Sequence, residues 1–500
     1  MMMTMPRMAT RIAAVVCWTF IAYGCTELTP EMQLIYDAGE AMGGEDDVNE
    51  TETLVLEGDG RQYRLGQNND PADTLPYWQV DEYQREYDLV NDRWRVVQRR
   101  TSSYLTGNPV TLQEQTFGVD GDIGYDISEA GAVRRASGQT TSDRRADYYH
   151  HPVTLIQLAL TEGSVVGNLR QEGAEDVIDI TAASGETYTM YVDSTTKFVT
   201  RIVSQGVHGV LGDVTLTTRF EDYAEPEGFG GMGIKYLTLP RGIEAMTDDF
   251  TIWELRVENS TIGDPGDLSA PEEARSASAP EFMADVQVEE IGDGIWRLAG
   301  QSHHSLLIEF SDFLALVEAP QNDQRTLAVI AQARELQPDK PLQYVVNTHH
   351  HFDHSGGIRA AVSEGLTVMT HQTNAEFYED LVRRPHTRMP DALTSNPQEL
   401  TLELVDNEIY ELGEGRRTLQ LARVRPNSHV NSMLVGYLPR ERILIEADLY
   451  TANSAEAPFA ANLLQTLEER EWRVDQVQPI HGQPFEIAVL EAAAEGASPR

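Results

Sequence analysis

The stretch Thr348-His349-His350-His351-Phe352-Asp353-His354-Ser355-Gly356-Gly357 constrains the fold more than any other part of the chain. It follows the apolar run Tyr344-Val345-Val346, which reads as a short buried strand, and leads into a helix predicted over residues 355–364. A donor-rich loop between a buried strand and a helix belongs at the carboxyl end of a strand in an α/β unit, where such folds place their sites. Within it His349, His351, Asp353 and His354 fall as H-x-H-x-D-H. Alternate residues of an extended segment point the same way, so His349 and His351 can share one ion. Asp353 and His354 turn into the helix start and can face a second ion beside the first. Neutral imidazole and carboxylate donors suit zinc, with iron or manganese as alternatives.

One cluster leaves two coordination shells incomplete, so further donors must come from elsewhere. Three stand beside apolar strands. His429 precedes Met433–Tyr437, Asp448 follows Ile443–Ala447, and His481 follows Val474–Val477 in Pro479-Ile480-His481-Gly482. From about residue 282 strands alternate with helices, one of them predicted over Thr326–Leu336.

With these residues in place, roughly the last 220 residues, a usual domain size, resemble the metallo-β-lactamase fold superfamily. The resemblance implies a four-layer αββα sandwich with a two-metal site at its edge. It implies that His349, His351 and His429 hold the first zinc, and that Asp353, His354 and His481 hold the second, with Asp448 bridging. Three departures limit the analogy. The third ligand sits in Ser428-His429-Val430 rather than Gly-His-Thr, Ala447 rather than Gly precedes Asp448, and the bridging position is Asp rather than the Cys of the commonest zinc β-lactamases. Asp at the bridge resembles the glyoxalase II and lactonase branches. The diiron relatives carry Glu in place of the second His of the motif, and His351 argues against them.

The remaining histidines carry weaker signals. His303 and His304 precede a strand and are candidates to line the pocket. His350 alternates out of the ligand face toward solvent or the ligands' outer surroundings. His150, His151, His208, His371 and His386 have no donor cluster by spacing.

The rest of the chain reads as a separate unit. Arg7 and Arg11 precede the apolar run Ile12–Ala22, which is shorter than the ~20 residues a spanning helix needs and suits a secretory signal over residues 1–25. Gly24-Cys25 resembles a bacterial lipoprotein cleavage box, which would tether the protein to a membrane through Cys25; ordinary cleavage is the alternative. Residues 26–262 read as a mainly β domain. It opens with one short helix capped at Thr29-Pro30 and continues as long antiparallel hairpins, such as Tyr83–Leu89 with Trp94–Val97 and Tyr188–Val192 with Phe198–Val203. This layout weakly resembles the open-barrel domains of LolA and LolB type lipoprotein carriers. Residues 263–281, rich in Pro, Ser and Ala, read as a linker, and 282–500 as the hydrolase domain. The fold class expected is thus α+β multidomain.

Composition narrows the function. With 80 acidic against 38 basic side chains, the formal charge of −42 excludes general nucleic-acid binding, which needs a basic surface. Two Cys exclude a disulfide scaffold. The expectation is an exported enzyme, periplasmic or membrane-anchored, that uses a hydroxide between two zinc ions to split an ester, thioester, lactone or amide type bond in a small molecule. The alternatives are a β-lactamase or redox relative of the same fold, or a non-catalytic lipid- or peptide-binding protein with a structural metal site.

Overall fold

The computed structural model describes residues 28–103, 112–225, 236–263, 266–415, 417–452, 454 and 457–495. The predicted signal and Cys25 lie outside the described residues. Among these residues no helix is long and apolar enough to cross a membrane.

Thr29 caps the helix Pro30–Ala41 by accepting from the Met32 amide, and Pro30 occupies its first turn, where a missing N–H costs nothing. Beyond it thirteen strands form one antiparallel sheet. Chain neighbours pair within two meanders, which are joined where the first strand, Thr53–Tyr63, pairs with the last, Phe250–Thr261. Both predicted hairpins form, Tyr77–Asp88 with Arg93–Ser102 and Thr187–Asp193 with Val199–His208.

Besides the single turn Glu45–Asn49, two helices in this block have no sequence signature, Gly138–Tyr148 and Pro152–Leu160. The first is almost wholly polar and the second apolar on nearly every side, so neither shows a one-faced period. The second buries Val153, Leu155 and Ile156 with Leu34 and Ile35 of the first helix against Leu54, Leu56, Ile178 and Ile180 of the sheet. Each such aliphatic side chain contributes about 1.5–3 kcal/mol by leaving water.

The expected linker is also more ordered than its composition implies. It carries the helix Glu272–Ser276, and Ala270 and Ala274 pack on Tyr125. Arg135 donates to the Ala277 carbonyl at 2.9 Å, and the Ala270 amide donates to Asp120 at 2.9 Å.

The C-terminal unit has a seven-stranded and a six-stranded sheet. Leu306, Ile308, Ala315 and Val317 of the first sheet share a core with Leu421, Leu434 and Leu444 of the second. The alternate residues Leu307, Leu314 and Leu316 face a second core with Val329 and Ile330 of the helix Asp323–Leu336. Both faces are covered, which is why these strands read as unbroken apolar runs. The strands Leu314–Val317, Leu342–Val346 and Thr367–His371 run parallel, so their carboxyl ends lie together. The helix predicted over 355–364 is two pieces, Phe352–Ser355 and Ile358–Ser363. They meet at Gly356-Gly357, where a Cβ on Gly357 would lie 1.9 Å from Thr326 Oγ1.

Among the described residues, the β domain reaches this unit at three places. One is the loop of residues 64–76. Another is the hairpin tip near Asp213, whose carboxylate accepts from the Thr387 and Arg388 amides at 2.9 and 3.0 Å. The third is the turn at Asp248, whose carboxylate accepts from Arg384.

Candidate metal centre

The motif loop is fixed before any ligand is considered. The Thr348 amide donates to Glu318 Oε1 at 2.8 Å, Asn347 Nδ2 donates to the His354 carbonyl at 2.9 Å, and the Leu434 amide of the second sheet donates to the Thr348 carbonyl at 2.9 Å. The donors on this loop therefore sit on backbone shared by both sheets.

All seven predicted donors converge, and His303 joins them. They form two groups, His349 with His351, His429 and Asp448, and His303 with Asp353, His354 and His481; within each, one donor atom per residue lies within 4.8 Å of the others. Asp448 links the groups. Its Oδ2 is 3.0 Å from His429 Nε2 and 3.5 Å from His349 Nε2, whereas its Oδ1 is 2.8 Å from His481 Nε2 and 3.2 Å from His354 Nε2. Asp448 reaches this position with φ +60 at the end of the strand Ile443–Glu446. Asp tolerates that left-handed conformation better than most residues, and strain of this kind gathers at functional sites.

The imidazoles are oriented from behind, as metal-binding histidines usually are. His349 Nδ1 meets Thr348 Oγ1, His354 Nδ1 donates to Glu318 Oε2, His481 Nδ1 donates to the Ser302 carbonyl, and His351 Nε2 donates to the Asn68 carbonyl of the β domain, all at 3.0 Å. Each ring thereby turns its other nitrogen inward. His349 Nε2 and His351 Nδ1 are buried there with no hydrogen-bond partner. Buried polar atoms without partners are rare, and two of them aimed beside a carboxylate fit a cation. The donor set of imidazoles and carboxylates, with no thiolate, suits a borderline metal ion.

With protein neighbours alone, the histidines divide. Burial holds His349 down at about 3 and His351 well below the usual imidazole range. His354 and His481 lie above that range: burial opposes their charge, but Asp448 outweighs it, aided at His354 by Glu318 and Asp353. Burial would raise the carboxyls of Asp353 and Asp448, yet the neighbouring imidazoles, His354 foremost, hold both below the usual carboxylate range.

The weaker sequence signals resolve differently. His303 lines the centre, with Nε2 3.3 Å from Asp353 Oδ2. His304 does not, because its ring nitrogens meet the Gly300 amide and the Gly482 carbonyl. His350 is not a solvent residue: it is buried against Phe377. His150 stays apart from any donor cluster, between Ser204 and Thr218. Glu318 has no counterpart in the sequence expectations. Its only sequence signal is a lone acid directly after the fully buried run Leu314–Val317.

Residues 300–454 match a family model described as the metallo-beta-lactamase superfamily. The C-terminal domain has the metallo-β-lactamase fold. The match takes in His303, the motif loop, His429 and Asp448; His481 of this metallo-β-lactamase domain lies past its end and is brought in by the fold. Among solved structures, a metallo-beta-lactamase from Pontibacter korlensis is 18% identical, aligning over 41% of this chain and 96% of that one with a TM-score of 0.34. One from Hirschia baltica is 20% identical, over 43% and 99%, with a TM-score of 0.33. No curated protein matches the sequence.

Proposed function

We propose that the C-terminal domain, read as the four-layer αββα sandwich, is a binuclear zinc hydrolase acting on an ester, thioester, lactone or amide type bond. The observation that carries this reading is the Asp448 carboxylate, one oxygen turned to each cluster of inward-facing imidazoles. His349, His351 and His429 would hold one ion and Asp353, His354 and His481 the other, with Asp448 shared. Bound there, the metal pair supplies acidified water as a nucleophile and a sink for developing negative charge.

The protein's own part is to orient and to move protons. Asp353 stays ionised among the imidazoles and is partly exposed, 40% at its side chain, so it can accept from the attacking water and pass a proton to the leaving group. His303, whose Nε2 donates to Asp353 Oδ2, steadies that carboxylate. Seven or eight donors favour catalysis over a closed structural site of four ligands.

Elemental analysis of the purified protein is expected to find about two zinc ions per chain, in keeping with a two-metal site. A panel of lactam, lactone, ester, thioester and phosphodiester substrates then identifies the bond. Replacing His349 with Ala is expected to abolish turnover while leaving the β domain folded. Asp353→Asn should lower kcat by about 10²–10⁴-fold, the usual worth of a positioned acid–base group. Full turnover by a metal-free His349→Ala variant overturns the reading. Export is part of the same proposal, and N-terminal sequencing of the mature protein, with the mass of any lipid on Cys25, tests it.

A further inference from the structure

Five consecutive residues of the β-domain loop touch the backbone or side chains of the two ligand-bearing loops. The Gly66 carbonyl accepts from the Phe352 amide at 3.2 Å, Gln67 Nε2 donates to Asp353 Oδ1 at 2.9 Å, and the Asn68 carbonyl accepts from His351 Nε2 at 3.0 Å. Asn69 Nδ2 donates to the Asn427 carbonyl at 2.9 Å, and Asp70 Oδ2 accepts from Asn431 Nδ2 at 2.8 Å. The first three bonds land on the loop of His351 and Asp353, and the last two on either side of His429. One loop thus spans ligands of both clusters.

Its shape is set by its own residues. Asn68 is buried, and its Nδ2 donates to the Pro71 carbonyl at 2.9 Å. The Arg64 amide donates to the Pro76 carbonyl at 2.8 Å, closing the base. Gly66 has φ +73, and a Cβ there would lie 2.3 Å from Phe352 Cγ. Only glycine supplies both that backbone conformation and that approach.

The chemistry of His351 shows what the loop contributes. For Nδ1 to present a lone pair inward, the proton must sit on Nε2, and an acceptor behind Nε2 fixes that tautomer. His349, His354 and His481 find their rear partners within the C-terminal domain, whereas the carbonyl behind His351 belongs to the β domain. Gln67 similarly occupies Asp353 Oδ1 and leaves Oδ2 facing His303 and His354.

We propose that the loop of residues 64–76 is a working part of the metal centre: Gln67 and Asn68 are positioning residues, and the metallo-β-lactamase domain holds its ions at full strength only with the β domain docked. This rests on the metal-centre reading above. It also gives the β domain a role that its sheet alone does not suggest.

The test uses the full chain, with zinc affinity measured by competition with a chromophoric chelator and the ligand field read from the visible spectrum of the cobalt-loaded protein. Gln67→Ala and Gly66→Ala are each expected to weaken zinc retention by about 10–100-fold, the usual cost of losing a partner behind a ligand, and to shift the cobalt bands. Gln67→Glu keeps the size but replaces the donor with a carboxylate, and should be at least as damaging as Gln67→Ala. A loop that only fills space would leave the cobalt spectrum unchanged in Gln67→Glu. Wild-type affinity and spectrum in folded Gln67→Ala and Gln67→Glu proteins overturn the proposal while the metal centre stands. A wild-type chain that binds no zinc overturns both.

Discussion

Two pairs of imidazoles in the two halves of the centre, His349 with His351 and His354 with His481, arrive at opposite charge states. In the half built on His349, His351 and His429 every imidazole is almost fully buried, whereas the other half opens toward solvent at Asp353 and His481, whose side chains are 40% and 25% exposed. Burial keeps His349 and His351 neutral, since their close neighbours are mostly other imidazoles. His354 is just as buried, yet it faces three carboxylates, Asp448, Glu318 and Asp353, and is held protonated. Exposure therefore does not set the protonation of these imidazoles; the number of carboxylates around each does. His349 and His351 stand ready to accept a cation at neutral pH, whereas His354 and His481 must release protons to do so.

The largest test of this contrast removes what the halves share. Asp448→Ala deletes the carboxylate that bridges the clusters and the main charge holding His354 and His481 protonated. Zinc stoichiometry should fall from about two to below one per chain, with turnover lost, if a two-metal site requires the shared ligand. Two ions retained in Asp448→Ala would mean that the halves are independent sites.

A smaller effect separates the halves by pH. His354 and His481 keep their protons to higher pH than an ordinary imidazole, so a metal entering that half must displace them. Its affinity is expected to drop as pH falls through neutrality. Because His349 is neutral down to about 3 and burial holds His351 well below the usual imidazole range, their half should lose far less affinity over the same window. Calorimetric zinc titrations in buffers of different ionisation enthalpy measure the protons released. Equal release for the first and second equivalents would erase the proposed distinction.

The contrast between the halves also tracks what could be read from the chain. His349, His351, Asp353 and His354 are legible because their spacing is local and matches an extended loop entering a helix. His429, Asp448 and His481 are legible more weakly, as polar residues at the ends of apolar strands. His303 is legible only as a candidate to line the pocket, because it is the antiparallel pairing of Ile295–Ala299 with Ser305–Glu309 that swings the turn between them toward Asp353. The loop at Gln67 and Asn68 is silent for the same reason on a larger scale, lying 286 positions before its partner Asp353 and reading as a polar turn. In the β domain, alternation exposes the hairpins, while the helix Pro152–Leu160, apolar nearly all round, offers no face to detect.

Glu318 offers the finest division of the two halves. Its Oε1 accepts from the Thr348 amide and positions the whole motif loop, whereas Oε2 accepts from His354 Nδ1 and serves only the proton-holding half. Glu318→Gln keeps one acceptor oxygen and the side-chain shape but removes the charge. Without that charge His354 becomes a poorer donor to a metal, and it also releases its proton more readily, so the two consequences oppose each other. At alkaline pH, where proton competition is weakest, affinity for the second ion should fall by about tenfold. The deficit should narrow toward about pH 6, because the wild-type His354 then pays the greater cost of deprotonation. The first ion should be little affected at either pH. A uniform loss of both ions would instead assign Glu318 to the Thr348 contact alone, as a brace for the loop rather than a charge tuned to one ligand.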